Sequence, residues 1–196
     1  MTTHMQQLKS ALQQVGPDSP IYASVPARYR SVVWGIVEAT SAVINNGGQV
    51  SPCVIIGSTS AGEARRIDIS LGSHESKQRS FELARQAASE IEADFAITTI
   101  ESWSLTPQDR PRRDEICAKY GSLREYPGRV EAAWFVLETL EGSFASQAAI
   151  ERMNAQGHQV RAMLDPENFA LSHEMQGELV GLLTPANKAG MRARMH

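Results

Sequence analysis

Apolar residues recur every three to four positions in four stretches of this chain, and at strand-like spacing in five others. Met5, Leu8, Leu12 and Val15 form one stripe and predict a first helix over Thr3–Val15. Gly16-Pro17-Asp18-Ser19-Pro20 stops it. A second helix is predicted from Pro26 to Ile44, with Val32, Val33, Ile36, Val37, Thr40, Val43 and Ile44 at helical spacing. Asn45-Asn46-Gly47-Gly48 ends it with a glycine suited to a left-handed cap. Two strands, Val50–Gly57 and Ala64–Ser70, flank Ser58–Glu63 and read as a hairpin with a longish loop. Ser73 is placed to cap a helix from His74 to Glu92, whose inner face is Phe81, Ala84, Ala88 and Ile91.

Three more strands are predicted. Phe95–Ser102 comes first. Val130–Glu138 is apolar on both faces and therefore central. Phe144–Glu151 follows a turn at Glu141-Gly142. Asp165-Pro166 reads as the cap and first-turn proline of a last helix running to about Leu183 on a stripe of Leu171, Met175, Leu179 and Leu182. The order ααββαβββα is that of an α+β protein with a mostly antiparallel sheet and one embedded helix, flanked by N-terminal and C-terminal helices. Residues 1–48 form an N-terminal helical region, 49–164 the α+β core, and 165–196 the C-terminal helix and a frayed tail. The linker at 16–20 leaves two options for the N-terminal helices: packing on the sheet, or a separate partner-binding arm.

Composition narrows the function. The 196 residues are 42% hydrophobic and 21% charged, enough for one well-buried domain. A net charge of −3 disfavours nucleic acid as a partner. No apolar run is long enough to span a membrane. The N-terminus lacks an apolar signal core, which points to the cytoplasm. Cys53 and Cys117 form neither a disulfide framework nor a CxxC metal site, and both are expected reduced.

Familiar catalytic motifs do not fit. Gly57-Ser58-Thr59-Ser60-Ala61-Gly62 has the outer glycines of a phosphate loop, but Glu63-Ala64 stands where Lys and Ser or Thr are needed to reach the phosphates and magnesium. No serine has the flanking glycines of a nucleophile elbow. His4, His74, His158, His173 and His196 form no pair at metal-ligand spacing. No metal or cofactor is expected. Lys188, Arg192 and Arg194 read as a solvated tail, His158 as a turn residue and Trp134 as sheet-core filler.

The densest chemistry lies in Ala93–Glu115. Strand alternation puts Phe95, Ile97, Thr99, Glu101 and Trp103 on one face. Glu101 then lies on a largely buried face, which is costly for a carboxylate without a partner. Arg110, Arg112 and Arg113 are the nearest in sequence, and arginine matches a carboxylate with two parallel hydrogen bonds. The structural reading is a Glu101–arginine pair that pins the loop. The functional readings are a pocket lined by Glu101, Asp109, Asp114 or Glu115, and a contact surface anchored by Trp103 and the arginines.

These residues also carry a resemblance. Ala93-Asp94, an apolar strand, Glu101-Ser102-Trp103 and then Pro111-Arg112-Arg113-Asp114-Glu115 resemble a loose group of small uncharacterised proteins of bacteria and their phages or plasmids. In that group a "gAD" segment leads into an apolar strand, a "SEAW" motif and a "P-x-R-x-E" loop. The likeness spans Pro52 to Ile150. Ile100 stands where the group often has serine, and Ser102 where it has alanine; the arginine loop is spaced differently. The resemblance implies an α+β core and a bacterial or mobile-element origin, and it carries over no catalytic residue.

The leading expectation is a non-enzymatic binding or regulatory protein that acts through a protein partner, one version being an inhibitor of a host system. Its contact residues would be Glu101, Trp103, Arg110, Arg112, Arg113, Asp114 and Glu115, or the N-terminal helices. The alternative is a carboxylate-dependent, metal-assisted hydrolase or nuclease using Glu101 with Asp114 or Glu115. A third reading is homo-oligomerisation through the amphipathic ends.

Overall fold

The computed structural model describes residues 16–155, 158–172 and 181–183. Expectations for the helix at Thr3–Val15, for Met175 and Leu179 of the expected last helix, and for His4, His173, Lys188, Arg192, Arg194 and His196, lie outside them. After a single 3-10 turn at Pro20–Tyr22, α1 spans Ala27–Asn45. β1 (Cys53–Ser58) and β2 (Glu63–Asp68) lead to α2 (His74–Glu90), and β3 spans Phe95–Ser104. A short α3 (Arg113–Tyr120) precedes β4 (Val130–Thr139), β5 (Ser143–Ala155), β6 (His158–Met163) and β7 (Ala170–Leu171).

The strand order is β2-β1-β3-β4-β5-β6, and β7 pairs with β5. Every pairing is antiparallel, so the chain is an α+β protein with an antiparallel sheet. β4 lies between β3 and β5, consistent with a run apolar on both faces. The β2 edge carries four charged side chains, Glu63, Arg65, Arg66 and Asp68, which discourage pairing with another chain.

The two longer helices cover opposite faces. Tyr29, Val33, Val37 and Ile44 of α1 pack on Phe95, Ile97, Phe135, Leu137 and Phe144. Phe81, Ala84 and Ala88 of α2 pack on Val54, Ile56 and Ala96. Each fully buried large side chain contributes about 1.5–3 kcal/mol. Thus α1 is seated on the sheet rather than extended from it.

The local stops work as expected. Gly47, at φ 80, turns α1 so that Gly47 and Gly48 N–H groups reach the Ile44 and Val43 carbonyls. Ser73 caps α2 through a capping box in which Ser76 supplies the reciprocal hydroxyl. Ser58–Glu63 is the hairpin turn, closed by Gly62 N–H to Ser58 O at 2.9 Å. Thr59 is held there by the Asp94 carboxylate, which accepts its N–H at 2.8 Å and also its hydroxyl.

Three expectations need correction. Asp165-Pro166 does not open a helix: residues 164–169 have no regular structure, and Ala170–Leu171 pair as β7. The phenylalanine that follows, Phe169, inserts into the α1 core against Tyr22 with ring centroids 5.6 Å apart. Pro166 thus lies in a strap whose backbone bonds to β5 through Leu164 and Glu167, since helical periodicity alone does not choose between a helix and an apolar extended strap. Second, His158, expected as a turn residue, begins a strand, His158–Met163, that the pattern of hydrophobic positions does not reveal. Third, the loop after β3 contains α3, and Trp134 lies half-buried outside both core clusters rather than filling the sheet core.

Candidate functional site

β3 carries Phe95 and Ile97 into the core beneath α1, and the same alternation brings Glu101 and Trp103 to that face at the strand's far end. Register places Trp103 opposite Glu131 of β4, and Glu101 opposite Ala133. The small Ala133 leaves room for a long side chain arriving from elsewhere. That side chain is Arg161 of β6. Its Nη2 donates to Glu101 Oε2, and to Glu131 Oε1 at 2.8 Å. Its Nη1 donates to the Gly48 carbonyl at 2.6 Å. Glu101 Oε1 accepts the Val50 N–H at 2.6 Å, and Glu131 Oε2 accepts from Arg152 Nε at 3.1 Å.

The side chains of Arg161, Glu101 and Glu131 are 11%, 13% and 14% exposed. One cation thus bridges two carboxylates in a nearly dry site and ties the turn after α1 to the sheet. Burial is the largest influence on Arg161 and disfavours its charge, yet the hydrogen bonds and attraction of Glu101 and Glu131 together hold its pKa above the ordinary arginine value.

This corrects the partner expected for Glu101. It is paired with arginine, but with Arg161, sixty residues away, and not with Arg110, Arg112 or Arg113. Arg110 instead grips Glu167 through Nη1, at 2.8 Å, and Nη2. That hydrogen bond is the main reason the Glu167 carboxyl stands below its ordinary range. Arg112 pairs with Glu115 at 3.0 and 3.1 Å, which lowers Glu115. Arg113 and Asp114 are exposed in the first turn of α3. Asp109 accepts from the Tyr126 hydroxyl at 3.0 Å. Among the described residues, no hydrogen bond, ion pair or ring contact joins Arg110–Glu115 to Glu101 or Trp103.

Trp103 sits beside the Arg161 cluster and is 37% exposed. The Arg129 guanidinium stacks on its ring, 4.6 Å from the centroid. Arg129 donates to the Tyr126 carbonyl at 3.1 Å, and no acidic side chain among the described residues pairs with it. Two concavities flank Trp103. One, of about 290 Å³, is lined by Val50, Pro52, Glu101 and Glu131. The other, of about 400 Å³, is lined by Pro127, Arg129, Val130, Ile150 and Arg152.

Sequence reasoning missed Arg129, Glu131, Arg152 and Arg161. Register from β3 through β6 brings them together, and only Glu131, in the alternation of VEAAWFVLE, carries a sequence signal. Among the described residues no group of three or more His, Cys, Asp and Glu side chains is placed to hold a metal ion. Cys53 and Cys117 are free thiols on separate elements, and burial pushes the Cys53 thiol up. No helix among the described residues is long and apolar enough to cross a membrane.

Fold and site together define an antiparallel α+β protein with an ionic clamp beside an exposed Trp–Arg stack. No protein-family model, curated protein or solved structure significantly matches the chain.

Proposed function

We propose that this is a non-enzymatic binding or regulatory protein that acts through a protein partner, and that the partner docks on Trp103 and Arg129. The observation that carries this reading is the Trp103–Arg129 stack: an exposed tryptophan that lines two concavities, under an arginine with which no acidic side chain among the described residues pairs. Tryptophan and arginine are enriched among the few residues that carry most of the binding energy of an interface. Pro127 and Val130 add apolar floor, and the Arg129 N–H groups would meet a carboxylate. The complementary partner segment therefore has an acidic residue next to an aromatic or aliphatic one. Arg161 ties Glu101 and Glu131, which flank Trp103, to the turn after α1, and this bracing would limit the ordering cost of binding. The narrower version, inhibition of a host system, rests on the resemblance of the 93–115 segment alone.

A second reading has one favourable observation. Glu101 and Glu131 line the same concavity, as a carboxylate-dependent hydrolase or nuclease would require. Both carboxylates are already committed to Arg161, and Glu101 also to Val50 N–H, which leaves neither positioned as a free general base. Affinity capture from bacterial lysate separates the readings. A protein retained by the wild type and lost with Trp103→Ala supports partner binding. Metal-dependent hydrolysis abolished by Glu101→Gln, with no such partner, would favour the enzyme.

A further inference from the structure

β1 is shorter than the strand it pairs with. Its ladder with β3 runs from Gly57 opposite Phe95 to Cys53 opposite Thr99 and stops there, while β3 continues beside β4 to Ser104. Register fixes which way the main-chain groups point beyond that end. Ile69 N–H donates to Pro52 O at 2.8 Å, so Pro52, Val54 and Ile56 face β2, and Cys53, Ile55 and Gly57 face β3. The Thr99 N–H and C=O therefore face β1, and those of Glu101 and Trp103 face the same way. The other side of β3 agrees. Thr139 N–H donates to Gly142 O at 2.9 Å, so alternate residues of β4 back to Glu131 face β5, and Ala132 and Val130 are left to bond Ser102 and Ser104.

Among the described residues, no hydrogen bond reaches the main-chain N–H and C=O of Glu101 or Trp103 on that side. Residues 49–52, which would have extended β1, instead rise over the α1 face. There the Glu101 carboxylate takes the Val50 N–H, and Arg161 takes the Gly48 carbonyl. Their departure leaves the concavity of about 290 Å³, walled by Val50 and Pro52 on one side and by Ser102 and Trp103 on the other. Ser102 and Trp103 are both exposed. A strand edge with open peptide groups is a template for another strand, and native proteins guard such edges with charge or proline. β2 is guarded in this way. Residues 100–104 carry one charge, Glu101, and Arg161 draws it onto the α1 face.

We infer that this open edge of β3 takes an extended segment of the protein partner as an added antiparallel strand, laid in line with β1 and hydrogen-bonded to Glu101 and Trp103. The inference rests on the partner-docking reading and names the conformation in which the partner binds. A residue paired with Trp103 shares the face of the indole ring and of the Arg129 guanidinium stacked on it. No acidic side chain among the described residues pairs with Arg129, so an acidic residue of the partner belongs there. A second copy of this chain fits less well. Pairing β3 with β3 would bring two Trp103–Arg129 stacks, and two guanidinium groups without acids, to one short edge.

The probe is the peptide acetyl-Val-Glu-Val-Glu-Val-Glu-amide, titrated into the isotopically labelled full chain and followed by amide hydrogen exchange in NMR. Without peptide, the Glu101 and Trp103 amides should exchange at least about tenfold faster than those of Ser102 and Ser104, which β4 holds. Saturating peptide should slow the first two by about tenfold or more and leave the others unchanged. Two N-methylated forms of the peptide supply a second arm, because an added strand turns only alternate amides to its neighbour. Methylation at the glutamates should abolish binding, and methylation at the valines should not. Any other pattern of loss, or no saturable change below about 1 mM peptide, overturns the inference. Protection of the Glu101 and Trp103 amides before peptide is added overturns it too. The edge is then covered by the chain itself or, where protection rises with protein concentration, by a second copy. The two readings fail separately. Lysate capture that depends on Trp103 and Arg129, with no protection by peptide, keeps the docking reading and removes the added strand. Protection by peptide without such capture does the reverse.

Discussion

Arg161 on β6 and Glu101 on β3 form a nearly buried ion pair across a sheet in which two strands, β4 and β5, lie between them. Glu131 shares the same guanidinium nitrogen, so the site holds two carboxylates and one cation, with Arg152 at its exposed rim.

Removing the cation should therefore be worse than neutralising one acid. Arg161→Met leaves two carboxylates facing each other and the Gly48 carbonyl unpaired. The expected loss is about 3–5 kcal/mol. Glu101→Gln keeps an acceptor for Val50 N–H and should cost less. Urea unfolding of the two variants, together with the double variant, measures the coupling.

Gly57 lies under the Phe95 ring. A Cβ at that position would overlap Phe95 Cζ and sit 3.0 Å from the Glu63 carbonyl oxygen. Gly57→Ala should destabilise the hairpin by about 1–3 kcal/mol through overpacking. Phe95→Leu in the same chain should recover part of that loss, read as the denaturant midpoint.

Glu38 on α1 carries a pKa raised above 4.5, first because burial disfavours its charge and second because Asp165 repels it. A carboxyl raised in the folded state contributes fully below its unfolded pKa and loses that contribution as pH rises through the folded value. Ionised Glu38 is thus a cost at neutral pH. Glu38→Gln should raise Tm at pH 7, and the gain should disappear below about pH 4.

Glu167 behaves in the opposite sense. The Arg110 hydrogen bond lowers its pKa below 4.5, so its contribution is present above the unfolded value and lost as pH falls through the folded one. Both side chains are more than a third exposed, which limits the effect to about 1 kcal/mol or less. Arg110→Ala should lower Tm at pH 7 slightly, and a series of melts should show the difference shrinking as pH falls below about 4.5.

The fold was largely legible because local signals agreed with tertiary packing. Helical spacing over 26–44, the Ser73 cap and the alternation of β3 each have a local cause. β6 was hidden because His158-Gln159-Val160-Arg161 mixes polar and apolar positions on an edge strand. Residues 164–172 misled because an apolar strap that inserts Phe169 has no periodicity of its own. At the site, the cost of burying Glu101 correctly demanded an arginine. Sequence proximity then favoured Arg110, Arg112 and Arg113, whereas the register of β3 through β6 chose Arg161. Arg129 was equally invisible, since its position over Trp103 depends on the β3–β4 pairing.

The most direct measurement is quantitative affinity capture from bacterial lysate with four proteins: wild type, Trp103→Ala, Arg129→Ala, and Arg28→Ala as a control. Arg28 lies in a separate, partly exposed pair with Glu141. The account predicts one protein retained by wild type and by Arg28→Ala, and lost from both Trp103→Ala and Arg129→Ala, with melting temperatures unchanged within about 3 °C. Every protein captured equally by all four would contradict it.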